Sequence, residues 1–144
     1  MNVTRSFAVA ATFAAVAVGA ATPASAAPEM SGHYTETETA ANGRSTTDHW
    51  YFTPCGDGCA SVAIRPDASA PTQARLVNGQ WTLDSAVHTL SCADGTVVPN
   101  AVSAHYMWDQ NTLAGTVQVT YNVAACGHPA GYQNTNNVQL QQAP

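Results

Sequence analysis

Two glutamates separated by a single residue are the first candidates for chemistry in this sequence, because paired carboxylates can bind a ligand or exchange protons. Glu36 and Glu38 follow Tyr34 at two-residue intervals. In an extended strand such residues share a face, so an inward-facing Tyr34 would send both carboxylates inward, where they could line a ligand cavity. The alternative, which we favour at this point, is a twist or bulge that turns them to solvent, because carboxylates are rarely buried.

The histidines are a second group of candidates, because neutral imidazole is a common metal ligand. No two of them lie at i and i+2 or at i and i+4. His49 precedes Trp50 and His105 precedes Tyr106, so both imidazoles should point outward if their aromatic neighbours face the core. The spacing predicts scattered surface histidines and no metal site, since a site would need them to converge in space: His33, His49, His88, His105 and His128.

Nucleophilic, redox and nucleotide chemistry have little support. The chain has no Gly-x-Ser-x-Gly sequence of the kind that positions a hydrolase serine. Cys55 and Cys59 enclose a turn-like Gly-Asp-Gly, whereas thiol oxidoreductases use Cys-x-x-Cys at the start of a helix. No glycine-rich loop leads from a strand into a helix. We therefore predict no catalytic residue and no cofactor.

The amino-terminal 26 residues have the three parts of a secretory signal peptide. Arg5 supplies the positive charge, 7–21 is an uncharged apolar run, and Ala24-Ser25-Ala26 has the small-x-small pattern of a cleavage site. The run is shorter than the about 20 residues that a membrane-spanning helix needs. We expect cleavage after Ala26, a single mature domain over 27–144, and a secreted or envelope protein without membrane attachment.

Charge is scarce and negative. Charged residues make up 9% of the chain, against about 25% in typical domains. Lysine is absent. The chain without the leader has three arginines and nine acidic residues, which give a net charge of −6. This argues against binding to nucleic acid or to an anionic membrane surface, which both require basic patches.

The remaining chain predicts strands and almost no helix. Apolar and polar residues alternate in short runs bounded by Gly, Pro, Asn and Asp. The clearest run is 113–124, where Gly115 predicts a bend or a close approach. Asn78-Gly79 is the preferred two-residue hairpin turn and places Leu76 opposite Trp81. Eight segments emerge: 32–39, 47–54, 59–65, 74–77, 80–91, 97–108, 113–124 and 136–141.

These segments predict an all-β fold. One-sided alternation indicates an antiparallel sheet, short connections favour a meander, and about eight meandering strands can close into an up-and-down barrel. A β-sandwich is the alternative. An eight-stranded barrel is wide enough to be filled by side chains or to hold one small ligand. Residues on the inner face would therefore form a core or line a cavity: Tyr34, Glu36, Trp50, Phe52, Trp81, Tyr106, Trp108 and Tyr121.

Four cysteines in an exported domain predict two disulfides. A zinc site usually needs two close cysteine pairs, and Cys92 and Cys126 are isolated. In a meander, Cys55 and Cys59 lie at one end of the barrel and the other two cysteines at the opposite end. Cross-pairing would exceed the about 5.5 Å Cα separation of a disulfide, so the topology predicts Cys55–Cys59 and Cys92–Cys126.

Cysteine, tryptophan and glycine recur in a fixed spacing along the mature chain: Gly32-x-Tyr34, Trp50-x-Phe52-x-Pro54-Cys55-Gly56-x₂-Cys59, Trp81-x-Leu83, Cys92-x-Asp94-Gly95, Trp108-Asp109, Leu113-x-Gly115 and Cys126-Gly127. This pattern resembles that of small secreted, disulfide-containing proteins of mycobacteria and related actinobacteria, a largely uncharacterised group. The resemblance covers essentially the whole mature chain and implies export and disulfides but no reaction. Gly32-x-Tyr34 is also similar to the first strand of lipocalins, and Leu113-x-Gly115 is similar to an avidin strand.

The leading functional hypothesis is a secreted, non-enzymatic barrel whose cavity or loops bind a small ligand or another protein. One rival is a secreted hydrolase with a site assembled from loops. Another is a structural envelope protein without a ligand. A serine or cysteine within reach of a carboxylate-held histidine would favour the hydrolase.

Overall fold

A computed structural model describes residues 28–67 and 71–144, so the predicted signal peptide lies outside the described residues. Within these two ranges all regular secondary structure is β-strand. The strands are β1 (Gly32–Thr39), β2 (Ser45–Gly56), β3 (Cys59–Ala63), β4 (Thr72–Val77), β5 (Gln80–Asp84), β6 (His88–Ser91), β7 (Val97–Asp109), β8 (Ala114–Tyr121) and β9 (Gln133–Gln142).

Eight of these strands form a closed antiparallel barrel, as predicted. Consecutive strands pair from β1 to β5, β5 pairs with β7, and β7 to β9 continue the meander. The barrel closes because β9 pairs with β1. The expected closed up-and-down barrel is confirmed, and the alternative sandwich is not the fold.

The prediction of one continuous fifth strand over 80–91 is wrong. It breaks after Asp84 into β5 and β6, and both parts pair with the same neighbour, β7. Ser85 holds the break, because its backbone N–H donates to the Ala104 carbonyl and its hydroxyl accepts the Ala104 N–H. The topology is preserved, and β6 is an extra strand beside the barrel.

The Asn78-Gly79 hairpin forms as predicted. Both residues have positive φ, 51° and 81°, and Leu76 lies opposite Trp81. This agreement between turn and register fixes which face of β5 is buried. We call the end of the barrel at this turn the lower end, and the end at the 40–44 turn the upper end.

The lower half of the barrel is filled by aromatic rings. Trp108 is fully buried, stacks on Trp81 at 6.3 Å and meets Trp50 and Phe52 edge-on at 6.1 and 6.2 Å. Its indole N–H donates to the sulfur of Met30 at 3.3 Å. The residues that precede β1 therefore close the lower end.

Both predicted disulfides form at opposite ends of the barrel. Cys55–Cys59 clips the β2–β3 hairpin at the lower end. Cys92–Cys126 ties the segment after β6 to the loop between β8 and β9 at the upper end. The break in the fifth strand does not change which end of the barrel Cys92 occupies, because β5 and β6 run in the same direction along β7.

Gly115 lies opposite Trp108 where β7 and β8 approach closely. A Cβ atom on Gly115 would be 1.8 Å from the Met107 carbonyl oxygen and 2.6 Å from the Trp108 Cα. Both neighbours are backbone atoms, which cannot move aside without disturbing the ladder. The close approach predicted for this glycine is confirmed.

We expect Gly115→Ala to lower the free energy of unfolding by about 2–3 kcal/mol, because the added methyl group forces the two strands apart. Urea unfolding measures the change. Gln118→Ala, at an exposed position of the same strand, is the matched control and should change the free energy by less than about 0.5 kcal/mol. Equal stability of the two variants would contradict the argument.

The two disulfides should contribute unequally to stability. Cys92–Cys126 spans 34 positions and Cys55–Cys59 spans four, so the former restrains more of the unfolded chain. Replacing Cys92 and Cys126 together by serine should destabilise the fold by about 1–2 kcal/mol more than the corresponding double replacement of Cys55 and Cys59. Equal urea midpoints would show that loop entropy does not determine the ranking.

Candidate functional site

Most of the residues predicted to face the interior lie in the lower half and contact one another. Their rings form one apolar cluster, against which Tyr106 packs from above. Tyr121 lies apart, at the upper end, where its ring meets His128 at 5.1 Å and Tyr132 at 5.4 Å. The members of the lower cluster named from the sequence are Tyr34, Trp50, Phe52, Trp81 and Trp108.

Glu36 is buried, so the expectation that the strand turns it to solvent is wrong. Only 1% of its surface is exposed. The reason is that β1 is paired along its whole length with β2, from Gly32 to Thr39, and with β9 from Tyr34 onward, without a register shift. A strand held on both sides continues its alternation, and Glu36 follows Tyr34 into the interior.

Three carboxylates meet on the inner face of β1 and β2. Glu36 lies directly opposite Asp48, and Glu38 follows on the same face toward the upper end. Glu36 is buried, Glu38 is half-buried and Asp48 is exposed, so the group extends from the open upper end into the barrel. We call Glu36, Glu38 and Asp48 the acidic site.

Side chains of β7 and β9 complete the surroundings of the acidic site. The Asn136 amide N–H donates to Glu38. Burial raises the pKa of the Tyr106 hydroxyl, and the charges of all three carboxylates raise it further. Tyr106 therefore lies close to the acidic site and stays neutral there.

Glu36 is difficult to ionise in this setting. Burial raises its pKa from 4.5 to about 7, and repulsion from Glu38 and Asp48 adds to the effect. Near neutral pH the carboxyl group is therefore close to the midpoint of its titration, and a nearby positive charge would favour its ionised form.

One acceptor of the acidic site lacks a donor. The Oε1 atom of Glu36 is buried and has no hydrogen-bond partner among the described residues. Buried polar atoms normally have partners, because an unpaired one costs free energy. The Oδ1 atom of Asn134 is also unpartnered, but Asn134 lies opposite Val119, six positions along β9 from Leu140, which is the partner of Glu36.

Basic groups do not neutralise the acidic site. The ion pair found among residues 28–67 and 71–144 joins His105 to Asp84 on the outer face. Arg44 borders a recess of about 190 Å³ at the upper end, together with Glu38 and Thr46. Of the three residues of the acidic site, Glu38 lines this recess.

The His105–Asp84 pair is the nearest approach to a catalytic arrangement. Nδ1 of His105 lies 2.5 Å from Oδ1 of Asp84. The neighbouring Ser85 hydroxyl accepts the backbone N–H of Ala104 instead of meeting the imidazole. In the described part of the chain, no serine or cysteine side chain hydrogen-bonds to His105, and the pair lies on an exposed sheet surface.

A cleft of about 440 Å³ at the lower end has a different character. Trp81 lines it with Glu29 and Asp57, and the buried indole N–H of Trp81 has no partner. The two carboxylates here are exposed and belong to separate loops. This cleft has one unpaired donor and two solvated carboxylates. It has no buried carboxylate such as Glu36, so it is a weaker candidate for a binding site than the acidic site.

Over 28–67 and 71–144, no three His, Cys, Asp or Glu side chains converge closely enough to hold a metal ion. Within the same ranges no helix is long and apolar enough to cross a membrane.

Comparisons of the chain with models of known protein families, with curated proteins and with solved structures find no match.

Asp48 and Asn136 were not among the residues predicted to line the interior. Their positions carried a usable signal, because Asp48 shares its parity with Trp50 and Asn136 shares its parity with the buried Val138. Among polar residues, only Glu36 and Glu38 were considered for the inner face, because they follow Tyr34 at two-residue intervals.

The raised pKa of Glu36 makes stability depend on pH. In the unfolded chain the carboxyl titrates near 4.5 and in the fold near 7. The folded protein binds the extra proton between these values, so the free energy of unfolding should fall as pH rises from 4.5 to 7. Screening through the open upper end limits the fall to about 2 kcal/mol.

Urea unfolding at about pH 5 and about pH 7.5 tests this expectation. Glu36→Gln stays neutral throughout and should lose most of the pH-dependent difference, while Asp57→Asn at the lower end should keep it. A parent protein whose stability rises or stays level across this interval would contradict the assignment to Glu36.

Proposed function

We propose that the protein is an exported, non-enzymatic binding protein for a small organic cation, held by the acidic site in the upper half of the barrel. The observation that carries the proposal is Glu36, a fully buried carboxylate with an unpartnered oxygen that faces two further carboxylates. A purely structural barrel gains no stability from such a group, because an unpaired buried charge is costly.

The missing donor indicates the chemistry of the ligand. Glu36 Oε1 requires an N–H or O–H group. Negative charge and an unfilled acceptor together favour a primary ammonium group, which supplies one positive charge and three donors. The carboxylates do not form a metal cage, so an organic cation fits the site better than a metal ion.

Aromatic rings beside the acidic site add to the attraction. Tyr106 is close to the three carboxylates, and the Trp50 ring meets it edge-on at 5.0 Å. A cation over an aromatic face within about 6 Å is stabilised by the ring electrons. An ammonium group with a short alkyl chain would place its charge at Glu36 and its carbons toward these rings.

The recess at the upper end is the route of entry in this proposal, because Glu38 lines it. Its volume of about 190 Å³ suits a molecule of a few non-hydrogen atoms. Arg44 borders it as a positive group and opposes the entry of cations. Because no bond joins Arg44 to Glu38 among the described residues, the repulsion can be removed without breaking an ion pair.

Export is part of the proposal and has separate support. Two disulfides with no free cysteine in the described chain are consistent with an oxidising compartment. The predicted leader points the same way. The hydrolase alternative has weak support, because His105 lacks a nucleophile.

Three probes of similar shape and different charge test the proposal: n-butylammonium, n-butanol and n-butyrate. Calorimetric titration near pH 8 should show binding of n-butylammonium alone, because only this probe supplies positive charge. Acidification to about pH 5.5 should weaken the binding at least tenfold, since Glu36 then carries a proton.

Two variants and one control locate the binding. Glu36→Gln should weaken n-butylammonium binding at least tenfold, and Arg44→Gln should strengthen it several-fold. Asp57→Asn at the lower end should leave it unchanged. Equal binding of n-butanol, or an undiminished affinity in the Glu36 variant, would overturn the proposal.

A further inference from the structure

Two of the five histidines converge on the outer surface of the barrel, away from the acidic site. Nε2 of His33 lies 2.8 Å from Nδ1 of His49, within hydrogen-bond distance. The ring of Tyr51 stacks on His33 at a centroid distance of 4.7 Å and an angle of 9°. The stack holds one of the two imidazoles in place.

The sheet register explains why histidines 16 residues apart meet. His33 lies opposite Tyr51, and His49 lies opposite Thr35, so the two histidines occupy a diagonal of the antiparallel pair β1–β2. Diagonal neighbours on one face are within reach of long or ring-shaped side chains. The register therefore brings two imidazole rings together, as a metal site requires.

Two imidazole nitrogens at this distance nearly match the geometry of a shared metal ion. Metal–imidazole bonds are about 2.0–2.1 Å long, which places two such ligands about 3 Å apart when their bonds are roughly perpendicular. Modest rotation of the rings converts the hydrogen-bonded pair into a bidentate one. Each neutral imidazole keeps one N–H, because the donor ring moves its proton to its other nitrogen.

The surroundings favour copper over harder ions. The outer faces of β1 and β2 carry mainly serine and threonine hydroxyls, and no Asp or Glu lies on the outer face of either strand. Two imidazoles without an anionic ligand bind Cu²⁺ more tightly than Zn²⁺ or Ni²⁺, following the general order of divalent affinities. Water molecules would occupy the remaining positions.

We propose that His33 and His49 form a two-imidazole surface site that binds Cu²⁺ in preference to other divalent ions. Tyr51 acts as a positioning residue, because it stacks on His33 without offering a ring nitrogen. The proposal does not depend on the binding of a cation inside the barrel, since the histidines occupy the outer face.

Titration of the purified protein with CuSO₄ near pH 7.5, followed by proton NMR of the imidazole signals, tests the proposal. Paramagnetic Cu²⁺ should broaden the signals of His33 and His49 at substoichiometric amounts, before those of the other three histidines. Calorimetry should show one site, with Zn²⁺ bound at least tenfold more weakly.

Variants separate this site from other copper ligands such as the terminal amine. His33→Gln and His49→Gln should each weaken Cu²⁺ binding at least tenfold. His88→Gln removes an exposed imidazole whose Nδ1 lies 3.1 Å from the Ala86 carbonyl oxygen, and this change should leave the affinity unchanged. Tyr51→Leu, which keeps both ligands, should cause an intermediate loss.

Circular dichroism confirms that each variant folds. The proposal is overturned if the two histidine variants bind Cu²⁺ as the parent does. It is also overturned if His88→Gln has the same effect, or if all five imidazole signals broaden together.

Discussion

The double pairing of β1, with β2 on one side and β9 on the other, is the constraint on which both proposed sites depend. A strand with hydrogen bonds on both edges cannot bulge without breaking a ladder. Its side chains therefore alternate strictly, with Tyr34 and Glu36 inside and His33 outside. At an edge strand the same sequence would be free to turn its carboxylates to water.

The two halves of the barrel divide stability and chemistry between them. The lower half has the tryptophan cluster, the Met30 contact and a glycine that allows close strand approach. The upper half has a smaller apolar cluster around Val102 and Ala125, and carboxylates and amides occupy another part of its interior. The well-packed lower half offsets the cost of the polar upper half, and deviations from a consistent core are typical of functional sites.

The features that were predicted correctly depend on turn chemistry or on strand direction. The Asn78-Gly79 turn predicted a register from two adjacent residues. The alternating strand direction of a meander predicted both disulfides, although Cys92 and Cys126 are 34 positions apart. The break after Asp84 was not predictable in this way, since Ser85 is held by Ala104, 19 residues away. It depends on a partner strand whose position the local sequence does not encode.

The candidate sites were only partly predictable for a related reason. Alternation placed Glu36 inside, but the general rarity of buried carboxylates argued the other way, and the double pairing of β1 decided the outcome. The diagonal meeting of His33 and His49 required the register of β1 against β2. Periodicity indicates which face of a strand a residue occupies. Which residues of two strands meet on that face depends on how the strands pair in three dimensions.

The closing pair of strands also sets the order in which the molecule can assemble. Glu38 and its partner Asn136 are 98 residues apart, so β1 remains half-paired until the last strand arrives. Contacts between such distant residues require a large loss of chain entropy before they stabilise anything, and folds rich in them form slowly. Nascent hairpins from the amino-terminal half would keep an open, unpaired edge at β1 during that interval. Glu36, Glu38 and Asp48 come together when β1 pairs with β2, whereas the Asn136 contact that completes their surroundings forms only when β9 closes the barrel.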